Sequence, residues 1–255
     1  MTPYIRNHLD QIQISIDGPK NDNDMSRGEG TFDRVTKEVQ KFQTMTDDKT
    51  VEMIARMTIT PSAGLYRSVL GVAKNFSKIY WQFQNRPDGD AMDLQERLHD
   101  LTELVDWWVH RLLTGEERVI LVPFDNVAHR LLYPQLYDPF ENLVAGCGAG
   151  THHMTAFNDG IVYACPEQIL NPRFCLGPIA QLHHHREIQI GDTPESRVCL
   201  TCTDRHICGC RCLHYVTEQY CECIRHVIKL IKDIQAYGGF ADIAFDRVEN
   251  IESMF

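Results

Sequence analysis

The thiols between residues 199 and 212 are spaced Cys199-x2-Cys202-x5-Cys208-x3-Cys212. Thiolates this close along a loop can turn toward one inorganic centre. Cys-x2-Cys pairs serve zinc sites and iron–sulfur clusters alike. Upstream the chain reads Cys147-x12-Gly160-x4-Cys165, and downstream Cys221 and Cys223 fall in a segment with helical spacing. Cys175 and Cys210 complete the ten cysteines, none of which precedes Cys147. In a cytosolic chain of 255 residues this density points to metal rather than disulfides. A structural zinc site is the plainer alternative to an iron–sulfur site.

Composition narrows the setting. Hydrophobic residues make up 43% and charged residues 24%, which describes a globular chain with a sizeable core. A formal charge of −10 argues against nucleic acid or an anionic membrane as partner. No apolar run approaches the ~18 residues a membrane helix needs. The N-terminal MTPYIRNHLDQ has no apolar signal core. The expected location is therefore the cytoplasm.

The elements that must position the cysteines follow from periodicity. Ile12, Ile14 and Ile16 alternate with Gln13, Ser15 and Asp17, which predicts a strand over 12–18 that turns at Gly18-Pro19. The polar stretch 20–30 is expected to be a loop. Thr31 caps a helix whose apolar positions are Phe32, Val35, Val39 and Phe42. A second strand is expected at 51–59, a helix from Pro61-Ser62 to about residue 75, and a third strand at 78–84. A turn at 86–90 leads to an amphipathic helix carrying Leu94, Leu98, Leu101, Val105, Trp108 and Leu112. Tyr80, Trp81 and Trp108 are expected to pack in the core.

Strand–helix repeated three times implies parallel strands with crossover helices, an α/β layer or part of a barrel. After residue 116 the texture changes. A short apolar strand is expected at 119–124, a hairpin over 153–166 turning at Asn158-Asp159-Gly160, then cysteine-rich loops and a closing helix at about 216–237. His183-His184-His185 is expected to be a solvated loop.

The seven cysteines Cys147, Cys165, Cys199, Cys202, Cys208, Cys212 and Cys221, with the words Cys147-Gly-Ala-Gly and Asp159-Gly160-Ile-Val-Tyr163-Ala-Cys165-Pro166, resemble the SPASM domain of radical-SAM peptide-modifying enzymes. Upstream, Ser15-Ile-Asp17-Gly18-Pro19, Asp24-x2-Arg27 and Gly30-Thr31-Phe32 resemble the fourth-strand region of the barrel in those enzymes, and Arg56-Met-Thr58 resembles the fifth strand. The resemblance covers nearly the whole chain. It implies an α/β fold: residues 1–115 as the C-terminal half of a partial (β/α) barrel, and 116–255 as a loop-rich SPASM iron–sulfur domain with a β-hairpin and a C-terminal helix.

The resemblance also implies two auxiliary [4Fe–4S] clusters. The first would use Cys147, Cys165 and Cys212, with a fourth ligand left open between none, Cys175 and Cys210. The second would use Cys199, Cys202, Cys208 and a cysteine of the last helix, Cys221 or, failing that, Cys223. Ser15, Asp17, Arg27 and Arg56 would lie near S-adenosylmethionine or the substrate, which would be a peptide or protein. In such enzymes a 5′-deoxyadenosyl radical abstracts a hydrogen from the peptide, and the auxiliary clusters accept an electron or hold the substrate.

That chemistry starts from Cys-x3-Cys-x2-Cys, whose three thiolates leave one iron open to S-adenosylmethionine. The chain has only Cys208-x3-Cys212, and Tyr215 stands where the third thiol would be. The polypeptide as written is therefore expected not to cleave S-adenosylmethionine unless the missing N-terminal portion is supplied. No catalytic residue is assigned. A truncated or interrupted gene, a separate chain supplying the N-terminal half barrel, and a degenerate relative all fit. The alternatives from other classes are a non-catalytic iron–sulfur electron-transfer or peptide-binding module and a zinc-stabilised protein.

Overall fold

Branched side chains at every second position favour extended backbone, and Gln11–Ser15 forms strand β1. Glu52–Ile59 (β2), Lys78–Phe83 (β3) and the short Ile120–Leu121 (β4) complete a sheet in the order β1-β2-β3-β4. All its pairings are parallel. The computed structural model describes residues 8–44, 51–60, 63–84, 93–116, 118–136, 148–151, 154–184, 188–209, 212, 216–238 and 240. The chain divides into two units, Met1–Asp125 with Lys229–Ala244, and Asn126–Ile228 with Phe245–Phe255.

In the first unit, helices Lys20–Arg27 (α1) and Thr31–Gln43 (α2) link β1 to β2. Leu65–Ala73 (α3) links β2 to β3, and Leu94–Thr114 (α4) links β3 to β4. Each parallel step thus carries its crossover in helix. Ile14, Ala55, Ile79 and Leu121 are register partners across the four strands, and the last three are fully buried. Helix α3 packs on β2, β3 and α4. Its Gly71 lies against Pro19, where an added Cβ would come within 3.0 Å of the proline ring. Trp108 is buried with Phe124, ring centroids 5.7 Å apart, and Trp81 meets the same phenylalanine edge-on at 5.1 Å.

Two elements depart from the sequence expectation. Residues 20–27 form α1, not loop. The helix is polar on every side, so it carries no apolar period; only Asn23 is buried, while Met25 is 81% exposed. It serves instead as a support. Asp24 accepts from the backbone N–H of Phe32 at 2.8 Å and of Gly30 at 3.1 Å, and so caps α2 from outside it. Gly30, not Thr31, stands at the cap position, and Thr31 is the first residue of the helix. The Phe32 hydrogen bond is the main reason the Asp24 carboxyl lies below the ordinary range.

The second departure is at 119–124. The strand there ends at Leu121, and Val122–Leu132 is a helix, α5. Pro123 explains the change, because proline cannot donate to a ladder but fits a helix's first turn. Asp125 stabilises the bend by accepting from Leu121 N–H at 3.0 Å.

The second unit contains a hairpin. Thr155–Ala156 (β5) and Ile161–Tyr163 (β6) pair antiparallel around the expected turn, with Gly160 at φ 80° and Asp159 accepting from Ile161 N–H at 2.9 Å. Cys175–Pro178 adds a third strand, β7, to the other side of β6. Short 3₁₀ turns follow, including 195–201, then helix α6 (Arg205–Cys208) and helix α7 (Glu218–Ala236). Ala149, Ala164, Phe174, Ile188, Ile190 and Cys199 form this unit's core.

The architecture is therefore mixed α/β, a four-stranded parallel sheet and a small antiparallel one. Pro61-Ser62, the 86–90 turn and the histidine side chains at 183–185 lie outside the described residues. Among the described residues, no helix is long and apolar enough to cross a membrane.

Candidate metal centre

Each thiol of the 199–221 set is held by a defined local structure. Cys199 lies in the 3₁₀ turn Glu195–Thr201, which Thr193 and Ser196 brace through a buried hydroxyl–hydroxyl hydrogen bond of 2.8 Å. Cys202 caps that turn, its N–H donating to Cys199 O at 3.3 Å. Cys208 ends α6, where Gly209 follows in the left-handed conformation at φ 73° and Arg130 donates to the His206 carbonyl at 3.3 Å. Cys221 lies on α7, with Ile224 and Arg225 three and four positions on and therefore on the same face.

These four thiols line one hollow that opens to solvent. Val198, Asp204, Arg205, Ile224 and Arg225 complete its lining. Burial pushes the Cys221 thiol above its ordinary range, and the neighbouring Cys208, Cys199 and Cys202 sulfurs push the same way. The Arg225 guanidinium donates to the Cys202 sulfur, and that contact makes Arg225 hold its own proton more firmly. Cys223 is not part of the lining; it is 3% exposed, and two positions along a helix turn it well away from Cys221. Among the described residues, no group of three or more His, Cys, Asp or Glu side chains is placed to hold a metal ion.

A second pair of thiols lies elsewhere in the same unit. Cys165 precedes the 3₁₀ turn Pro166–Gln168, whose Glu167 and Gln168 N–H groups donate to its sulfur. Burial raises its pKa; the Glu167 hydrogen bond opposes this, and nearby Cys212 adds to it. Cys165 and Cys212 are thus brought together. Cys147 and Cys210 lie outside the described residues. Cys175 is exposed on β7 in register with Tyr163.

The first unit holds the remaining sequence candidates at the C-terminal end of its sheet. Ser15, Arg56 and Tyr80 are register partners on β1, β2 and β3 and so share a face. Arg56 donates to Gln13 at 3.3 Å and lies 5.9 Å from the Tyr80 ring centre. Gln13, Ser15, Arg56 and Gln82 are exposed on that face, whereas Ile54 and Tyr80 between them are buried.

Asp17 is different. Its carboxylate accepts from Arg27 at 2.7 Å, Ser26 at 2.9 Å and the Thr58 N–H at 2.9 Å. It binds the end of β1 to β2 and α1, and it positions Arg27. Asp17→Ala is expected to cost about 2–3 kcal/mol, because it strips three donors of a nearly buried acceptor. Urea unfolding checks this; a stability unchanged from wild type would assign the carboxylate no positioning role.

Sequence spacing missed Arg225, Arg205 and Asp204 around the hollow, and Tyr80 and Gln13 on the sheet. The signal for Arg225 was present in the i, i+3, i+4 spacing from Cys221, but it required choosing Cys221 over Cys223 first.

No family model matches the chain, and no curated protein matches it. Solved structures do match. Native anSMEcpe with bound AdoMet and Cp18Cys peptide matches with a TM-score of 0.67 at 18% identity, over 93% of this chain and 72% of that one. The same protein with AdoMet and Kp18Cys peptide gives 0.65 at 17% identity, over 93% and 71%. Histidine-tagged anSMEcpe with AdoMet gives 0.66 at 17% identity, over 94% and 68%. At this identity the likeness establishes the fold: almost the whole chain follows the path of anSMEcpe.

Proposed function

We propose that this chain is an iron–sulfur protein of the radical-SAM/SPASM peptide-maturase kind. Residues 1–115 act as part of the barrel and 116–255 as the cluster domain. One observation carries the proposal: Cys199, Cys202, Cys208 and Cys221 surround a single hollow. An all-sulfur set of four is what a [4Fe–4S] cluster requires. A zinc ion would need every sulfur about 2.3 Å from one point. A cluster spreads its thiolates over separate irons, which suits four thiols that line one hollow.

Cys165 and Cys212, with Cys147, would hold the first auxiliary cluster. When bound, such clusters accept electrons or anchor a substrate group. The fold likeness to structures holding AdoMet and peptides supports a peptide substrate and S-adenosylmethionine as co-substrate. Ser15 and Arg56 would offer hydroxyl and guanidinium donors to that ligand from their shared sheet face, with Asp17 fixing Arg27 beside them. No observation supports a separate chain supplying the other half barrel.

Anaerobic purification with iron, sulfide and zinc analysis tests the proposal. About eight irons and matching sulfide per chain support two clusters. Stoichiometric zinc without iron overturns them.

A further inference from the structure

We propose that Arg225 sets the electron affinity of the cluster bound by Cys199, Cys202, Cys208 and Cys221. This rests on the iron–sulfur reading above and adds the residue that regulates that centre. Cys221 fixes the rotation of α7 over the hollow, so the residue four positions later must overhang it. That residue is Arg225, which lines the hollow and donates to the Cys202 sulfur. A guanidinium stays charged at any working pH.

Its charge matters because of what would surround it. Four thiolates outweigh the positive charge of a cluster core, so the assembled centre is anionic, and each added electron makes it more so. Val198 and Ile224 give the hollow apolar walls. The hollow opens to solvent and Arg225 is exposed, so water screens part of the effect, but a cation fixed beside the cluster still stabilises the reduced state more than the oxidised one. A hydrogen bond to a ligating sulfur acts in the same direction. Both effects raise the reduction potential.

The other charged residues of the lining do not replace Arg225. Arg205 donates to the Leu200 carbonyl and keeps its charge, and Asp204 opposes both guanidinium charges, but Arg225 adds a hydrogen bond to a ligating sulfur. Arg225 is thus a positioning and tuning residue, not a ligand.

The test is an EPR-monitored redox titration of the full chain reconstituted anaerobically with iron and sulfide, comparing wild type, Arg225→Gln and Arg225→Lys. Arg225→Gln is expected to keep its iron and lower the midpoint of one cluster signal while leaving the other in place. A tenfold fall in the reduced-to-oxidised ratio at fixed potential corresponds to about 59 mV for one electron. Arg225→Lys, which keeps the charge but loses the planar fork, is expected to fall between the two. Iron-replete Arg225→Gln with both midpoints at wild-type values overturns the proposal. If Arg225→Gln loses iron, Arg225→Lys decides: an iron-replete lysine variant with an unshifted midpoint also overturns it, and a lowered one supports it. A wild-type chain that binds no iron fails the cluster reading itself, which distinguishes the two failures.

Discussion

Cys221→Ala is expected to lower the iron content of the reconstituted chain from about eight to about four per chain, and Cys223→Ala to leave it near eight. The contrast follows from helix geometry. Cys221 shares its face of α7 with Ile224 and Arg225 and lines the hollow with three other thiols. Cys223 is buried outside that lining. Removing Cys221 takes one of four corners from the centre and exposes the remaining three to solvent. Iron and sulfide assays on both variants, alongside their absorption spectra, check the result. Loss of iron in Cys223→Ala with retention in Cys221→Ala would reverse the ligand assignment and with it the proposed place of Arg225.

The second large effect lies in the first unit. Asp125 has no exposed side-chain surface, and its oxygens accept from Arg118 at 2.8 Å, Trp108 Nε1 at 3.2 Å and Leu121 N–H at 3.0 Å. Burial outweighs these donors and raises its pKa to about 6, from an ordinary value of 3.8. The sign of the linkage follows directly. Between those two values the folded chain retains a proton that the unfolded chain has lost. Stability due to this group is therefore full below pH 3.8 and falls as pH rises toward about 6, by about 3 kcal/mol in all.

In Asp125→Asn that contribution to the slope disappears. Urea unfolding of both proteins across pH 4–7 checks it, and an identical slope in the two would contradict the assignment. Asp125→Ala goes further, because Trp108 and Leu121 lose their acceptor inside the core and Arg118 loses its counter-charge. It is expected to cost about 2–4 kcal/mol, less than a fully buried pair because Arg118 remains partly open to water.

The parts of this molecule that could be read from the sequence are those where residue type is dictated by a single physical need. Ile12, Ile14 and Ile16 alternate because one face of β1 is turned away from water, Ile16 fully and the other two in part. Leu101, Val105 and Trp108 recur at helical spacing because one stripe of α4 is buried. The thiols were legible because few other side chains bind iron or zinc so densely.

Elements supported by something other than an apolar stripe were not legible. Helix α1 has almost no buried surface and owes its place to Asp17, Asp24 and Arg27. The apolar run around Pro123 fits a strand until the missing N–H of proline is considered. Strand β7 reads Cys-Leu-Gly-Pro, which carries no β signal and is ordered by pairing with β6. Arg225 looks like any basic residue on a helix until Cys221 fixes which face turns toward the hollow.

The central claim is that this chain holds two four-iron clusters on its cysteines. A Mössbauer spectrum of the full chain reconstituted anaerobically with ⁵⁷Fe tests it most directly. The expected spectrum is that of cubane iron, accounting for about eight irons per chain and halved by Cys221→Ala. A spectrum of isolated tetrahedral ferrous or ferric sites, or a chain that takes up one or two zinc ions in place of iron, would contradict it.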